Sequence, residues 1–284
     1  WWNSYYENLS DGPVYLGKSL VGYKGEMPEN TTLVVKEGTT AIADNVFNYE
    51  NRPENLVAIT FPESLKEIGE SAFLECSSLK EITIPKNVTK IGENAFNADY
   101  LEKVTWNAIN CESPYKEIIY GDEVSVELRF IFYADSNYGD GSSSIKTFIF
   151  GNEVETIPDA LCYGMSEITE ITIPNSVKSI GKSAFKGCSI SEITIPEGVS
   201  YVGGGAFTGG KKLRKVVWNA IDCKVDENRK EGEITYLSES IFGYSENLTS
   251  FTFGNKVKTI PSGLCRDLPL QSISIPESVE TIEE

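Results

Sequence analysis

The amino-acid sequence predicts a repeat solenoid, a right-handed coil of strands and turns with one parallel sheet and little helix. Three observations lead to this fold class. Units of 22 or 23 residues follow one another along much of the chain. Within these units the apolar residues fall in the same columns, and the regular units open with the alternating pattern of a half-buried strand. A larger pattern of four units also recurs, and it shows where the coils are interrupted.

The clearest unit is 168–188, which reads ITEITIPNSVKSIGKSAFKGC. Ile171 and Ile173 alternate with polar residues and therefore point to the same side of a strand. The proline that follows ends strand pairing because it has no N–H to donate. Gly181 permits a tight corner of the backbone, and Phe185 fills the centre of the coil.

One such coil cannot bury its apolar columns alone, so coils must stack and share a core. Neighbouring strands then lie side by side in a parallel sheet, about 4.8 Å apart. A period in this range is typical of solenoids of the leucine-rich-repeat kind. A degenerate coil around Leu33 brings the total over residues 30–284 to about ten coils. The regular units begin at the following residues: Leu56, Leu79, Leu101, Ile145, Ile168, Ile190, Leu213, Leu248 and Leu270.

Residues 1–29 do not fit the repeat and predict an N-terminal cap. Two short apolar runs at 14–16 and 20–23 flank a Gly-Lys-Ser turn, which indicates a hairpin. The first coil of a solenoid has an exposed apolar end, and an atypical element usually covers it. Six aromatic residues in this region argue against the alternative, a disordered leader. At the other end, the last coil stops at Glu284 before its glycine, alanine and phenylalanine columns, so we expect the natural chain to continue.

Four successive coils form a larger repeat. Residues 104–111 match residues 216–223, which lie 112 positions later, and both contain Trp-Asn-Ala. Residues 148–158 match residues 251–261, which lie 103 positions later, and both contain Phe-x-Phe-Gly-Asn. The larger repeat therefore consists of a Phe-x-Phe-Gly-Asn coil, two plain coils and a Trp-Asn-Ala coil.

Each Trp-Asn-Ala coil carries an insertion. The first comprises residues 112–131 and 133–144, and the second comprises residues 224–241. Between the two parts of the first insertion, Phe132 fits the phenylalanine column and Ile131 fits the alanine column. Both insertions leave the larger repeat at the same position, so we expect them to project from the same side of the stack.

The charge and composition of the chain limit its function. Lys and Arg number 25 against 42 Asp and Glu, which gives a formal net charge of −17 at pH 7. This charge opposes binding to nucleic acid and to anionic membranes, and no apolar run is long enough to span a bilayer. We expect no nucleic-acid partner and no direct membrane insertion. The chain has no histidine, which removes imidazole catalysis and the commonest metal ligand, so we expect no metal and no cofactor.

The six cysteines leave two interpretations open. An even count in a secreted chain suggests disulfides, whereas the column positions favour small buried hydrophobic side chains. Cys162 and Cys265 take the phenylalanine column itself. Cys76 and Cys188 follow that column by three residues. Members of one column lie several coils apart and no Cys-x-x-Cys spacing supports zinc, so we predict free thiols.

The column pattern resembles the BspA-like leucine-rich repeats, a family of bacterial and protozoan surface proteins. The pattern I-x-I-P-x-x-V-x-x-I-G-x-x-A-F-x-x-C runs from Ile171 to Cys188 and recurs over roughly residues 30–284. The resemblance implies an extracellular or cell-surface bacterial adhesin that binds a protein or glycan on another cell or matrix. It carries over no catalytic motif, so we expect a monomeric scaffold that is not an enzyme.

Two surfaces compete as the partner site, and we predict a site at the edge where they meet. Outward strand positions form the first surface, although strand propensity alone would explain threonines there. Its candidate residues are Thr83, Thr105, Glu170, Thr172, Glu192 and Thr194. Aromatic residues of the insertions form the second, because recognition concentrates in such loops, although these rings could simply pack the insertions onto their own coils. The aromatic candidates are Tyr115, Tyr120, Tyr133, Tyr138, Tyr236 and Tyr244.

Two other functions remain as interpretations. A glycosidase would use paired carboxylates on the sheet face, and Glu170 and Glu192 would stand on adjacent strands at about the inter-strand spacing of 5 Å. Acidic residues are abundant in this chain, so a solvated column of carboxylates explains the pair more simply. A purely structural role as a surface stalk is the third interpretation.

Overall fold

The computed structural model describes residues 7–47, 51–97, 99–114, 118–120, 123–125, 130–133, 143–226 and 240–283. They form a β-solenoid of about ten turns with parallel sheets and almost no helix, which confirms the predicted fold class. One 3₁₀ turn lies at Pro53–Asn55. Within these residues no helix is both long and apolar enough to cross a membrane.

Most strands fall into two rows, a row of strands with four or five residues and a row of two-residue strands. In chain order the strands are β1 (Gly12–Leu16), β2 (Ser19–Lys24), β3 (Thr31–Val34), β4 (Ala41–Ile42), β5 (Leu56–Thr60), β6 (Glu67–Ile68), β7 (Glu81–Ile84), β8 (Lys90–Ile91), β9 (Phe96–Asn97), β10 (Lys103–Trp106), β11 (Ile118–Tyr120), β12 (Glu123–Ser125), β13 (Phe132–Tyr133), β14 (Thr147–Phe150), β15 (Thr156–Ile157), β16 (Ser179–Ile180), β17 (Glu192–Ile195), β18 (Tyr201–Val202), β19 (Lys215–Trp218), β20 (Lys224–Val225), β21 (Ser250–Phe253), β22 (Thr259–Ile260) and β23 (Thr281–Ile282).

The long row carries the alternation that the sequence predicts, with the apolar residues of each Glu-Ile-Thr-Ile strand buried and its polar residues exposed. Its strands pair in parallel as β3-β5, as β7-β10-β14 and as β17-β19-β21. The expected single sheet is therefore divided into three. Two of the ten coils, those around Ile171 and Ile273, place no strand in this row.

Both coils that place no strand in this row follow a coil of the Phe-x-Phe-Gly-Asn type. There Phe148 and Phe150 occupy the inward strand positions that isoleucine holds in plain coils, with ring centroids 5.1 Å apart. Among the described residues, no backbone hydrogen bond joins β14 to 170–173. We attribute the interruption to the larger rings, which keep the next coil from closing onto β14.

The N-terminal hairpin joins the row of short strands. β1 and β2 pair antiparallel, with Leu16 opposite Ser19. β2 then pairs in parallel with β4, so that Leu20 lies opposite Ile42 and is fully buried. The sheet continues in the order β1-β2-β4-β6-β8.

Phenylalanine rings form the centre of the stack. Phe73 and Phe96 stack with centroids 5.2 Å apart, and Phe185 and Phe207 do the same at 5.2 Å. The predicted place of Phe132 in this column is confirmed, because its ring stacks on Phe96 at 5.7 Å. The backbone N–H of Phe96 donates to the carbonyl of Ile131, which places Ile131 in the alanine column.

The corner glycine is needed for a different reason from the one the sequence suggests. Gly181 is not among the residues with positive φ, so its backbone conformation is open to other residues. A Cβ at this position would instead overlap the backbone of Pro158 and Asp159 in the preceding coil. The carboxylate of Asp159 accepts a hydrogen bond from the backbone N–H of Lys182 at 2.7 Å. The missing Cβ of Gly181 therefore lets this coil stack closely on the preceding one.

Candidate functional site

A groove opens on the long-strand row where that row is interrupted. Its volume is about 810 Å³, and it lies between the segment 171–173 and β17. Seven polar residues line this strand-face groove: Thr172, Asn175, Glu192, Thr194, Glu197, Lys215 and Asn219. Because 170–173 does not pair with its neighbours, the groove is a gap in the sheet rather than a depression on an intact one.

Ion pairs cross the strands beside this groove. The Nζ of Lys215 lies 3.4 Å from the Glu192 carboxylate, and that of Lys256 lies 2.9 Å from the Glu197 carboxylate. All four side chains are about half exposed or more. Such surface pairs contribute little to stability. Their ammonium and carboxylate groups are accessible, so a ligand can contact charges of both signs.

The predicted strand-face residues divide between two places. Thr172, Glu192 and Thr194 line the strand-face groove. Thr83 and Thr105 lie opposite each other in β7 and β10, in a different sheet. The structure therefore brings three of the six candidates together in one site.

The expected pairing of Glu170 and Glu192 on adjacent strands is wrong. Glu170 is exposed but belongs to no strand, whereas Glu192 begins β17. The interruption after the Phe-x-Phe-Gly-Asn coil removes the register that would hold the two carboxylates at the inter-strand spacing.

Most of the predicted aromatic residues lie beyond what the structure describes. Tyr115, Tyr138 and Tyr236 are outside the described residues, and only the backbone is described for Tyr120 and Tyr133. Tyr244 is described and its side chain is 77% exposed. Its φ angle is 57°, which is an unusual conformation for a bulky residue.

Asp226 holds the start of the second insertion against the stack. Its Oδ1 accepts a hydrogen bond from the hydroxyl of Tyr201 at 2.7 Å, and its Oδ2 accepts one from the backbone N–H of Gly204 at 3.0 Å. Burial, followed by the hydrogen bond and the charge of Asp226, raises the pKa of Tyr201 above its usual range. The phenol therefore stays protonated as the donor of this bond.

Sequence reasoning missed the asparagines that line the strand-face groove. Asn175 and Asn219 both line the groove, and Asn219 follows the end of β19. Asn219 belongs to the Trp-Asn-Ala motif, so its recurrence at Asn107 was a usable signal. The recurrence alone could not show which face the side chain meets.

The molecule is thus a leucine-rich-repeat solenoid whose strand row is interrupted at a polar groove. A family model for the BspA type leucine rich repeat region, in six copies, matches residues 27–121, 136–222 and 221–284. The chain belongs to this family. Members of this class generally mediate protein interactions and are generally non-enzymatic. No curated protein is matched by the chain.

Several solved structures are similar to this chain. A leucine rich cell surface protein from Faecalibacterium prausnitzii is 18% identical, with a TM-score of 0.48, over 94% of this chain and 72% of that one. The leucine-rich-repeat protein of T. pallidum is 19% identical, with a TM-score of 0.41, over 73% of this chain and 76% of that one. A leucine-rich repeat protein from Bacteroides ovatus is 14% identical, with a TM-score of 0.35, over 96% and 89% of the two chains.

Proposed function

We propose that this protein is a non-catalytic binding scaffold that acts outside the cell or at its surface and engages a protein or a glycan. The strand-face groove is the observation that carries the proposal. Its volume of about 810 Å³ lies within the range of roughly 300–1,000 Å³ that ligand sites occupy. One wall of the groove is β17 and the other is the unpaired segment 171–173, and both belong to stacked coils of the solenoid.

The chemistry of the groove favours a polar partner. Hydroxyl groups come from Thr172 and Thr194, and side-chain amides come from Asn175 and Asn219. Hydroxyl and amide groups both donate and accept hydrogen bonds. A surface of this kind suits the hydroxyl groups of a sugar or the polar side chains of a protein.

The carboxylates of the groove are not arranged for glycoside hydrolysis. A general acid in such enzymes is a carboxyl group whose surroundings keep it protonated, often an apolar pocket. Glu192 is instead 69% exposed and lies 3.4 Å from the ammonium of Lys215. Glu170, the proposed second carboxylate, belongs to no strand of the row. These observations support binding without catalysis.

The double variant Thr172→Lys/Thr194→Lys tests the proposal. Both side chains are exposed, so we expect the fold to be kept while two long cationic side chains fill the groove. Wild type would first be screened against arrays of extracellular glycans and matrix proteins. We expect affinity for any partner found to fall about tenfold or more in the variant, which corresponds to about 1.4 kcal/mol.

A matched control and a deletion make this test specific. Thr32→Lys/Thr60→Lys places the same charges at exposed positions of β3 and β5 in the same row, away from the groove, and should bind as wild type does. Deletion of 227–239 with a Gly-Ser bridge keeps the Asp226 contacts. An unchanged affinity in the groove variant, together with a loss in the deletion, would move the site to the edge of the insertions. Failure of wild type to bind any glycan or protein would contradict the proposed function.

A further inference from the structure

A second groove runs across the coils on the side where the phenylalanine turns lie. Its volume is about 350 Å³. Its floor is a column of three glycines, each two residues after the phenylalanine column: Gly164, Gly187 and Gly209. Their φ angles are 72°, 78° and 73°, and a floor without side chains lets a ligand approach the backbone closely. We call this the glycine groove.

An aromatic ring and lysines border the glycine groove. Tyr163 lines it, and the Nζ of Lys186 lies 5.7 Å from the centroid of that ring. On its other side the Tyr163 ring packs on Phe130, with centroids 5.0 Å apart. The hydroxyl of Ser189 and the exposed side chain of Lys211 also face the groove. In a chain of net charge −17, two lysines on one groove form a local cationic surface.

Tyr244 extends the glycine column in the next coil. The backbone N–H of Gly209 donates to the carbonyl of Gly243 at 2.8 Å, so the following residue, Tyr244, takes the next position of the column. Its φ of 57° is the conformation that glycine adopts in the three preceding coils. For a bulky side chain this conformation is strained, and the repeat imposes it at this column position, since Asp267 in the next coil has a φ of 59°. The ring is 77% exposed, so burial does not offset the strain.

Tyr163 therefore lines one end of the glycine groove, and Tyr244 lies one coil beyond Gly209, the last glycine of the floor, rather than among the lining residues. Tyr163 and Tyr244 are separated by three coil steps, which is about 14 Å at the spacing of parallel strands. Tyr163 contacts Phe130, which lies within the first insertion, and Tyr244 follows the second insertion. The site thus spans the two plain coils between the insertions.

The backbone of the groove does not favour an added peptide strand. The N–H groups of Gly164, Gly187 and Gly209 donate to carbonyls of the neighbouring coil at 2.8, 2.9 and 2.8 Å. Strand addition takes its affinity from free backbone groups at a sheet edge, and here these donors are already used. The tyrosine rings and the lysine side chains along the glycine column are the recognition elements instead.

We propose that the glycine groove binds an acidic oligosaccharide whose sugar rings stack on Tyr163 and Tyr244 and whose carboxylates pair with Lys186 and Lys211. Aromatic rings offer the flat apolar surface on which the C–H face of a sugar packs, and their rigidity limits the entropy lost on binding. The proposal rests on the proposed binding role and assigns it a second site, away from the strand-face groove.

The test uses tetragalacturonic acid as probe, with maltotetraose as its neutral counterpart, and isothermal titration calorimetry on the full chain. Tyr244→Gly removes the ring and places glycine where φ is positive, so its thermal midpoint should hold or rise. Its affinity for tetragalacturonic acid should fall about tenfold or more, because Tyr244 is one of the two rings on which the sugars stack and truncation of an aromatic hot spot costs that much. Lys211→Gln should lower the same affinity and make it less dependent on salt.

Tyr100→Ala is the matched control. Tyr100 is 41% exposed and also has a lysine over its ring, with Lys80 Nζ 5.5 Å away, but it lies outside the column of Gly164, Gly187, Gly209 and Tyr244. It should bind tetragalacturonic acid as wild type does. Equal binding of maltotetraose, or wild-type affinity in Tyr244→Gly and Lys211→Gln, would overturn the proposal.

Two further outcomes separate this inference from its alternatives. Tighter binding of an oligoglutamate peptide than of tetragalacturonic acid, lost in Tyr244→Gly, would replace the sugar with an acidic peptide and overturn the proposal. Binding of tetragalacturonic acid that is lost in Thr172→Lys/Thr194→Lys but kept in Tyr244→Gly would place the sugar in the strand-face groove. That result would agree with the proposed function and would overturn the proposal that the glycine groove binds the oligosaccharide.

Discussion

Burial governs the chemistry of the cysteine side chains. All six cysteines are free, five are buried, and Cys265 is partly buried. Burial raises the pKa of Cys188 to about 12, while the thiol donates to the carbonyl of Cys162 at 3.1 Å. These two cysteines therefore lie in neighbouring coils. They can meet because they belong to different columns, since Cys162 takes the phenylalanine column and Cys188 follows that column by three residues. A thiol held protonated at neutral pH is a poor nucleophile, and the side chains act as small core residues.

Cys188 should make the fold sensitive to alkali. Its pKa is raised from the ordinary 9.0 to about 12 in the folded chain. The stability that goes with the protonated thiol is therefore complete below pH 9 and is lost as the pH rises towards 12. The loss is about 1.4 kcal/mol for each pH unit within that window. Urea unfolding of wild type and Cys188→Ala at several pH values up to about 11 measures the difference.

The Cys188→Ala variant should lose stability less steeply with pH than wild type does. Cys265→Ala serves as the comparison, because Cys265 is only partly buried and its pKa is raised to about 11. Its effect on the slope should be smaller. If the free energy of unfolding falls equally with pH in wild type and in Cys188→Ala, the Cys188 thiol does not titrate with the raised pKa.

The Trp-Asn-Ala coil and the Phe-x-Phe-Gly-Asn coil form a matched pair. In both copies they are adjacent, with Trp106 opposite Phe150 and Trp218 opposite Phe253. The side chain of Asn219 then lies directly over Gly254, where a Cβ would overlap its Oδ1. The two motifs recur together because the asparagine of one needs the glycine of the next.

A double-mutant cycle tests this pairing. Gly254→Ala should lower the free energy of unfolding by about 1–3 kcal/mol through overpacking against Asn219. Asn219→Ala removes the overlapping group, so the double variant should recover part of that loss, with a coupling energy of about 0.5–3 kcal/mol. Gly22→Ala is the control, because a Cβ there meets nothing within 4 Å. Additive effects of the two substitutions would contradict direct contact.

The three Glu-Ile-Thr-Ile segments show how far local sequence determines a strand. Residues 81–84 and 192–195 form β7 and β17, yet 170–173 has the same sequence and is not a strand. The period predicted the coil, its columns and its buried residues, and Ile171 and Ile173 are indeed buried. The interruption depends on the rings of the preceding coil, so the tetrapeptide alone could not predict it. The strand-face groove was therefore beyond sequence reasoning, although three of its residues were named.

The phenylalanine column stays continuous even where its residue is a cysteine. Cys162 takes the column position, and the ring of Phe150 from the strand reaches Phe185 instead, with centroids 6.2 Å apart. On the other side Phe148 contacts Phe132 at 6.0 Å. The two strand phenylalanines therefore fill the space that the small thiol leaves. This exchange of positions explains why cysteine and Phe-x-Phe occur in the same coil.

The hairpin of β1 and β2 is the element that differs most from the repeat. It pairs with the first short strand, β4, and buries Val14 and Leu20. We propose that residues 1–29 form the cap of the stack, with residues 30–284 as the solenoid proper. A solenoid requires such an element because its first coil would otherwise expose the core.

The stability of this protein comes from coils that share one core. Phe185→Ala tests this shared core most directly. Phe185 is 1% exposed and stacks on Phe207, so truncation should lower the free energy of unfolding by about 3–5 kcal/mol. The backbone N–H groups of Cys162 and Phe185 each donate to the next coil at 2.8 Å. Native-state hydrogen exchange should show both losing protection, while the N–H of Phe73, several coils away, keeps it. Loss confined to the coil of Phe185, or an unfolding free energy equal to that of wild type, would contradict a core shared between coils.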